Sequence, residues 1–235
     1  MRSNLARVEE AIRSACRRAG RSRGDVHLMA VSKMHPAAVI TEAAALGVTL
    51  FGENKVQEFE EKYSELAPLL ATEPVRVHLI GHLQSNKAAR AAEIFSSVDT
   101  LDSLRLALRL DAAAAKIDRT LPVLLEIKLS DEESKSGLAP DSAELQQLLE
   151  RLPDLPHLQL RGLMTVPPYL RNAEAVRPYF RRLRELRDAL AQRHPRLPFD
   201  TLSMGMSHDF AVAIEEGSTE VRIGTAIFGA RDYGT

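Results

Sequence analysis

The feature of this sequence that most limits its fold is a repeated alternation of short apolar segments with longer amphipathic ones. The short segments have the length and composition of buried strands, and each precedes a stretch with apolar residues at helical spacing. Repeated strand–helix units imply parallel strands joined by right-handed crossovers. About eight such units in a chain of 235 residues predict a closed (β/α)8 barrel of the TIM type. An open doubly wound sheet is the alternative.

The predicted elements follow one another without interruption. An extra N-terminal helix ends near Gly20 and comes before the first strand. No linker rich in proline, glycine or serine divides the chain, so we expect one domain spanning residues 1–235. The predicted strands are residues 26–33, 48–51, 75–80, 94–98, 121–129, 158–164, 201–204 and 220–223.

The composition limits which binding partners and which cellular compartment we expect for this protein. The formal net charge is -1, which gives no general attraction to nucleic acid. The single cysteine, Cys16, cannot form an internal disulfide and falls on the apolar stripe of the first predicted helix. We find neither a secretory signal nor an apolar run of membrane-spanning length. A cytoplasmic protein without nucleic-acid or membrane partners is therefore expected.

Active sites of such barrels lie at the carboxyl ends of the strands, and Lys33 ends the first predicted strand. If its side chain points into the barrel mouth, loss of solvation lowers its pKa and makes the amine a nucleophile toward carbonyl groups. A solvated lysine at a strand end is the alternative, and the strand alone favours it.

The end of the chain carries a candidate phosphate site. Gly224 and Thr225 directly follow the eighth predicted strand, where this fold usually binds phosphate. A plain tight turn is equally compatible with these two residues. Arg222 precedes them within the strand, and either meets a ligand or an acid, or faces away from the interior. Ser207 could cap a following helix or donate to the same phosphate.

Two histidines close together in the sequence are candidate metal ligands. His78 and His82 occur in the segment HLIGH on a predicted strand and its loop, without the helical glutamate pattern of a zinc protease. We therefore expect no metal site from them.

Seven motifs together resemble a known family, the PLP homeostasis proteins (the YggS/PROSC family), where PLP is pyridoxal 5′-phosphate. The motifs occur in the family's order across nearly the whole chain. They are AVSKMHP (30–36), FGENKVQE (51–58), HLIGHLQSNK (78–87), SDEESKSG (130–137), RGLMTVPP (161–168), LSMGMSHDF (202–210) and GSTEVRIGTAIFG (217–229).

This resemblance implies a barrel like the N-terminal domain of alanine racemase, the type III fold of PLP proteins. It implies PLP held as a Schiff base on Lys33, with Arg222 facing the pyridine nitrogen. Asn54 matches a position close to the cofactor. The implied phosphate contacts are Ser207, Gly224 and Thr225. Two lysines, Lys55 and Lys128, depart from residues common in the family.

Two functions remain open. The resemblance implies a monomeric PLP carrier or regulator in vitamin B6 homeostasis, with PLP-dependent apoenzymes as the partners that it would serve. The alternative is a PLP-dependent amino-acid racemase. Racemisation needs an acid and a base on opposite faces of the substrate, and besides Lys33 the best candidate is His82. The chain ends at Thr235, soon after the eighth strand, so we expect no racemase-like second domain and favour the carrier.

Overall fold

The computed structural model describes residues 1–130 and 136–229, and its centre is a closed barrel of eight parallel strands. Each strand pairs with the next along the chain, and the eighth pairs with the first. The predicted (β/α)8 barrel is therefore confirmed. The strands are β1 (His27–Val31), β2 (Leu50–Glu53), β3 (Arg76–Leu79), β4 (Ser97–Leu101), β5 (Leu121–Glu126), β6 (Leu158–Met164), β7 (Thr201–Met206) and β8 (Glu220–Ile223).

Helices cover the outside of the barrel. They are α1 (Arg2–Arg18), α2 (Ala37–Ala45), α3 (Val56–Thr72), α4 (Ala88–Ile94), α5 (Leu104–Lys116), α6 (Ala143–Arg151), α7 (Arg177–Arg193), α8 (Phe210–Glu215) and α9 (Thr225–Phe228). The extra helix α1 packs against α8 and α9. Its apolar stripe, which includes Ile12 and Cys16, is buried there, as the helical spacing predicts.

Side chains that alternate along each strand divide the sheet into two faces. The outward face, with Ala30 and Ile223 as paired examples, joins the helices in one continuous apolar core. The inward face of several strands is polar. Four of its buried members are Asp99 on β4, Glu126 on β5, Ser203 on β7 and Arg222 on β8. Candidate functional groups therefore lie in two places, the polar interior of the barrel and the loops at the carboxyl ends of the strands.

Several predicted strand boundaries were wrong by two or three residues, among them the end of the fifth strand, which is Glu126 and not residue 129. The fourth strand was expected at residues 94–98, but Ile94 ends α4 and β4 begins at Ser97. Ile94 and Phe95 are buried against the helices, whereas the strand itself carries polar side chains into the barrel, so apolar content pointed to the wrong segment. The first strand ends at Val31, two residues before Lys33.

Among the described residues, no helix is long and apolar enough to cross a membrane. Most of the SDEESKSG motif, namely residues 131–135, lies outside the described part of the chain.

Candidate functional site

The turn that carries Lys33 is fixed on both sides. Before it, the buried Ser32 donates its hydroxyl to Glu53 Oε1 at 2.7 Å. After it, Met34 adopts a positive φ of 65°, and its N–H donates to the carboxylate of Glu58. A non-glycine residue holds such a conformation only where the surroundings impose it. Lys33 itself is half-buried in this turn.

A buried lysine on α3 organises the two carboxylates that hold this turn. Lys62 Nζ lies 3.0 Å from Glu53 Oε1 and 2.8 Å from Glu58 Oε1. It also reaches the backbone oxygen of Ser32 at 3.4 Å. Burial raises the pKa of Glu53, and the charge of Lys62 opposes that rise. The Lys33 turn is thus attached to α3 through a buried ion pair rather than through apolar packing alone.

Arg222 points into the barrel and is buried. Its Nη1 donates to Ser203 Oγ and its Nη2 to the backbone oxygen of Thr165, both at 2.7 Å. Burial lowers the pKa of the guanidinium, and buried carboxyl groups, first Glu220 and then Asp99, oppose this shift. Of the two alternatives for Arg222, the inward orientation is therefore the one observed, and its hydrogen bonds go to Ser203 and Thr165.

Ser207 lies beside the loop at the end of β8. The N–H of Ala226, in the first turn of α9, donates to Ser207 Oγ at 3.4 Å. The N-cap residue of α8 is Asp209, and its carboxylate accepts from Met206 N–H at 2.6 Å. Ser207 is therefore directed toward the loop that contains Gly224 and Thr225, and not toward α8.

Strand pairing brings the Lys33 turn next to that loop. Because Ala30 on β1 pairs with Ile223 on β8, the segments that follow the two strands are neighbours. The rings of His35, two residues after Lys33, and Phe228 on α9 lie 5.1 Å apart. Lys33, Gly224 and Thr225 thus occupy one side of the barrel mouth.

Asn54 follows β2 on the adjoining part of the mouth and is half-buried. The backbone there packs closely, since a Cβ atom added to Gly81 would lie 2.2 Å from the backbone oxygen of Asn54. The two lysines that depart from the family pattern are also in this region. Lys55 is exposed, and the half-buried Lys128 lines a cavity of about 230 Å³ with His82 and Glu126.

The residues at the mouth fit a phosphorylated pyridine aldehyde. Lys33 supplies an amine, and a buried guanidinium lies inside the barrel at Arg222. Ser207 supplies a hydroxyl beside a loop whose glycine lets backbone N–H groups approach a phosphate. His82 is a weaker candidate for chemistry, because it is exposed and pairs with Asp102 at 3.1 Å.

Sequence reasoning missed the ion pair of Lys62 and the group of His78, Asp99 and Glu220 inside the barrel. Lys62 lies on a helix face where a charged residue normally indicates solvent. The interior group joins three different strands, and only the inward register of Asp99 and Glu220 could have indicated it.

Comparison with known proteins extends this picture. The model of the family "Alanine racemase, N-terminal domain" matches residues 3–232. The pyridoxal phosphate homeostasis protein of Aquifex aeolicus is 46% identical over 97% of this chain and 97% of its own length. The protein of the same name from Escherichia coli K12 is 47% identical over 98% of this chain and 96% of its own.

Solved structures agree on the architecture. PipY of Synechococcus elongatus PCC7942, solved with PLP bound, superposes with a TM-score of 0.81 at 41% identity over 93% of this chain and 99% of its own. An alanine racemase of Clostridium difficile 630 superposes with a TM-score of 0.69 at 15% identity, over 99% of this chain and 57% of its own. That second likeness concerns the fold alone. The chain belongs to the pyridoxal phosphate homeostasis proteins, within the larger family that shares the alanine racemase N-terminal domain.

Proposed function

We propose that this protein binds PLP at the barrel mouth, through a Schiff base on Lys33, and serves as a PLP carrier or regulator in vitamin B6 homeostasis. PLP bound in this way would supply an electrophilic C=N carbon and a ring that can withdraw electrons. Support comes from family membership, from the PLP-bound relative PipY, and from the matching motif around Lys33.

Lys33 acts as the nucleophile in this proposal. Its ε-amine condenses with the aldehyde of PLP, and one water molecule leaves. The reaction needs the amine at a defined position, because effective concentration depends on orientation. The contacts of Ser32 with Glu53 and of Met34 with Glu58 hold the backbone on either side of Lys33. The buried Lys62 joins those two carboxylates.

The carrier function depends chiefly on one observation, the buried inward position of Arg222. A guanidinium keeps its proton and donates hydrogen bonds without accepting them. Facing the pyridine nitrogen, Arg222 leaves that nitrogen unprotonated, which weakens the ring as an electron sink. Such a ring stabilises a substrate carbanion poorly, and His82, the best candidate for a second proton-transfer group, is exposed and paired with Asp102, so we favour the carrier over the amino-acid racemase.

The remaining contacts orient the cofactor. Ser207, Gly224 and Thr225 bind the phosphate through hydroxyl and backbone donors, and the first turn of α9 adds its partial positive charge. Asn54, on the adjoining part of the mouth after β2, would lie close to the cofactor. In this proposal residues 1–235 form one cytoplasmic, monomeric domain, and recipient apoenzymes are its partners.

Transfer and turnover can be separated in one experiment. The PLP-loaded protein is mixed with the apo form of a PLP-dependent enzyme, and recovery of that enzyme's activity is recorded. In parallel, the loaded protein is incubated with L-alanine in D2O, and deuterium at Cα is measured by NMR. We expect recovery of the recipient's activity without deuterium exchange. Deuterium exchange at Cα together with conversion to D-alanine would contradict the carrier function and support a racemase.

A further inference from the structure

A second polar site lies inside the barrel at the end opposite the proposed PLP site. A cavity of about 280 Å³ opens at the amino-terminal ends of the strands. Its inner wall includes His78 from β3, Asp99 from β4 and Glu220 from β8. None of these three residues belongs to the proposed PLP site. The carrier function leaves this group without a role.

The three side chains are arranged as ligands of a single ion would be. One nitrogen or oxygen atom from each lies within 4.8 Å of the others. His78 Nδ1 is 2.9 Å from Asp99 Oδ2. Two ligands at about 2.1 Å from a tetrahedral metal lie about 3.4 Å apart, so an ion would replace this hydrogen bond after a separation of about 0.5 Å. The other oxygen of Asp99 accepts from Ser97 at 2.5 Å, which fixes the carboxylate in this orientation.

Glu220 provides an independent observation. This residue is 5% exposed, yet its Oε1 has no hydrogen-bond partner among the described residues. Its register partner on β7, Ser203, accepts a hydrogen bond from Arg222. A buried carboxylate oxygen without a partner is costly, so a ligand at this position would satisfy it.

The charge of the interior also favours a cation. Four buried carboxyl groups act on Arg222, the single buried guanidinium among the described residues of the interior. They are Glu220, Asp99, Asp209 and Glu126. At the outer part of the cavity are two arginines, of which Arg161 lies 3.8 Å from Asp200 and Arg76 is exposed. Asp99 and Glu220 are thus buried beside His78, whereas the two arginines lie toward the outside of the cavity.

We propose that His78, Asp99 and Glu220 form a binding site for one divalent transition-metal ion inside the barrel. One imidazole nitrogen with two carboxylates is a mixed donor set that suits Zn²⁺ or Mn²⁺ better than Mg²⁺, which prefers oxygen ligands and keeps its water. Because Ser203 is both the register partner of Glu220 and the acceptor for Arg222, the site adjoins the residues that hold Arg222.

The test uses the full-length protein, stripped with a chelator and desalted. Binding of Zn²⁺ is measured by calorimetry and, separately, by the absorbance of a competing chromophoric chelator. Thermal unfolding is recorded with and without the ion. We expect one equivalent bound and a higher Tm. Glu220→Gln and His78→Gln should each weaken binding by at least about tenfold. His82→Gln is the matched control, because His82 also pairs with an aspartate but lies exposed at the other end of the barrel.

Two results would overturn the proposal. The first is a wild-type protein that binds no Zn²⁺ or Mn²⁺ in the titration. The second is binding that His82→Gln abolishes and Glu220→Gln leaves unchanged, which would assign the ion to the surface. If a variant fails to fold, the stoichiometry for wild type by native mass spectrometry still decides. One pattern would indicate a different explanation, a proton shared among His78, Asp99 and Glu220. In that case the wild-type protein binds no metal, and Glu220→Gln has a higher Tm than the wild type in the absence of metal.

Discussion

Lys62 Nζ lies 3.0 Å from Glu53 Oε1, in a buried ion pair that adjoins the backbone of the Lys33 turn. The pair is unusual because Lys62 comes from a helix on the outside of the barrel and Glu53 from the end of a strand. Ser32, the residue before Lys33, contacts both partners. The position of the proposed nucleophile therefore depends on two charges that must remain together.

Removing one partner of this pair should be strongly destabilising. In Lys62→Met, the carboxylate of Glu53 stays buried without its counter-charge, and we expect a loss of about 3–5 kcal/mol in the free energy of unfolding. Urea denaturation measures it. Lys55→Met, at the exposed lysine directly before α3, should change stability by less than about 0.5 kcal/mol. Equal small effects in both variants would mean that the pair contributes little.

Close backbone packing near Asn54 gives a second prediction. A Cβ atom at Gly81 would lie 2.2 Å from the backbone oxygen of Asn54, so Gly81→Ala must displace one of the two loops. We expect a loss of about 1–3 kcal/mol in stability and weaker PLP binding. Denaturation and a PLP titration measure the two effects. Gly24→Ala is the control, since its new atom would lie 3.6 Å from Ser22 Oγ, an ordinary contact. Unchanged PLP affinity in Gly81→Ala would contradict the assignment of Asn54 to the PLP site.

The interior histidine predicts a pH dependence of stability. Burial lowers the pKa of His78, but Asp99 and Glu220 more than offset this, so its folded-state pKa is above the ordinary value of 6.5. A raised pKa means that the folded state binds the proton more tightly than the unfolded state does. This stabilisation is complete below pH 6.5 and is lost as the pH rises through the folded-state pKa.

Urea denaturation at a series of pH values, with a chelator present, measures this dependence. Each unit by which the folded-state pKa exceeds the unfolded one corresponds to about 1.4 kcal/mol. In His78→Gln, the free energy of unfolding should decrease much less above pH 6.5 than it does in the wild type. In His82→Gln, it should decrease as in the wild type. A wild-type protein with constant stability across that range would contradict the account of His78.

Phosphate binding can be isolated by comparing two ligands. Ser207→Ala removes a hydroxyl beside the first turn of α9, and we expect PLP affinity to fall about tenfold, since a hydrogen bond to a charged group contributes about 1.5–3 kcal/mol. Pyridoxal, which has no phosphate, should bind the variant and the wild type equally. Fluorescence or absorbance titrations with both ligands provide the comparison. A parallel loss for both ligands would show that Ser207 acts on the fold and not on the phosphate.

Much of the architecture could be predicted from the sequence because it follows from local patterns. The strand–helix alternation sets the parallel barrel, and strand periodicity puts Arg222 and Gly224 on a common face. The error at β4 has the same origin. The strand that carries Ser97 and Asp99 into the barrel is less apolar than the helix end before it, and so apolar content selected residues 94–98.

The candidate site divides in a similar way. Lys33 and the loop at Gly224 follow recognisable strand ends, so motif and position indicate them together. The contacts that support these residues join different elements of the barrel, as Lys62 on α3 does with Glu53 and Ser203 on β7 does with Arg222. Such pairs depend on the closure of the barrel and on helix orientation, which local periodicity does not specify.

The most direct test of the central claim is the visible absorbance of the purified protein after incubation with PLP and desalting. The account predicts a yellow Schiff-base band in the wild type and in Lys55→Ala, a variant at an exposed lysine beside the mouth. The same band should be absent from Lys33→Ala. A band that persists in Lys33→Ala, or a wild-type protein that shows none, would contradict attachment of PLP to Lys33.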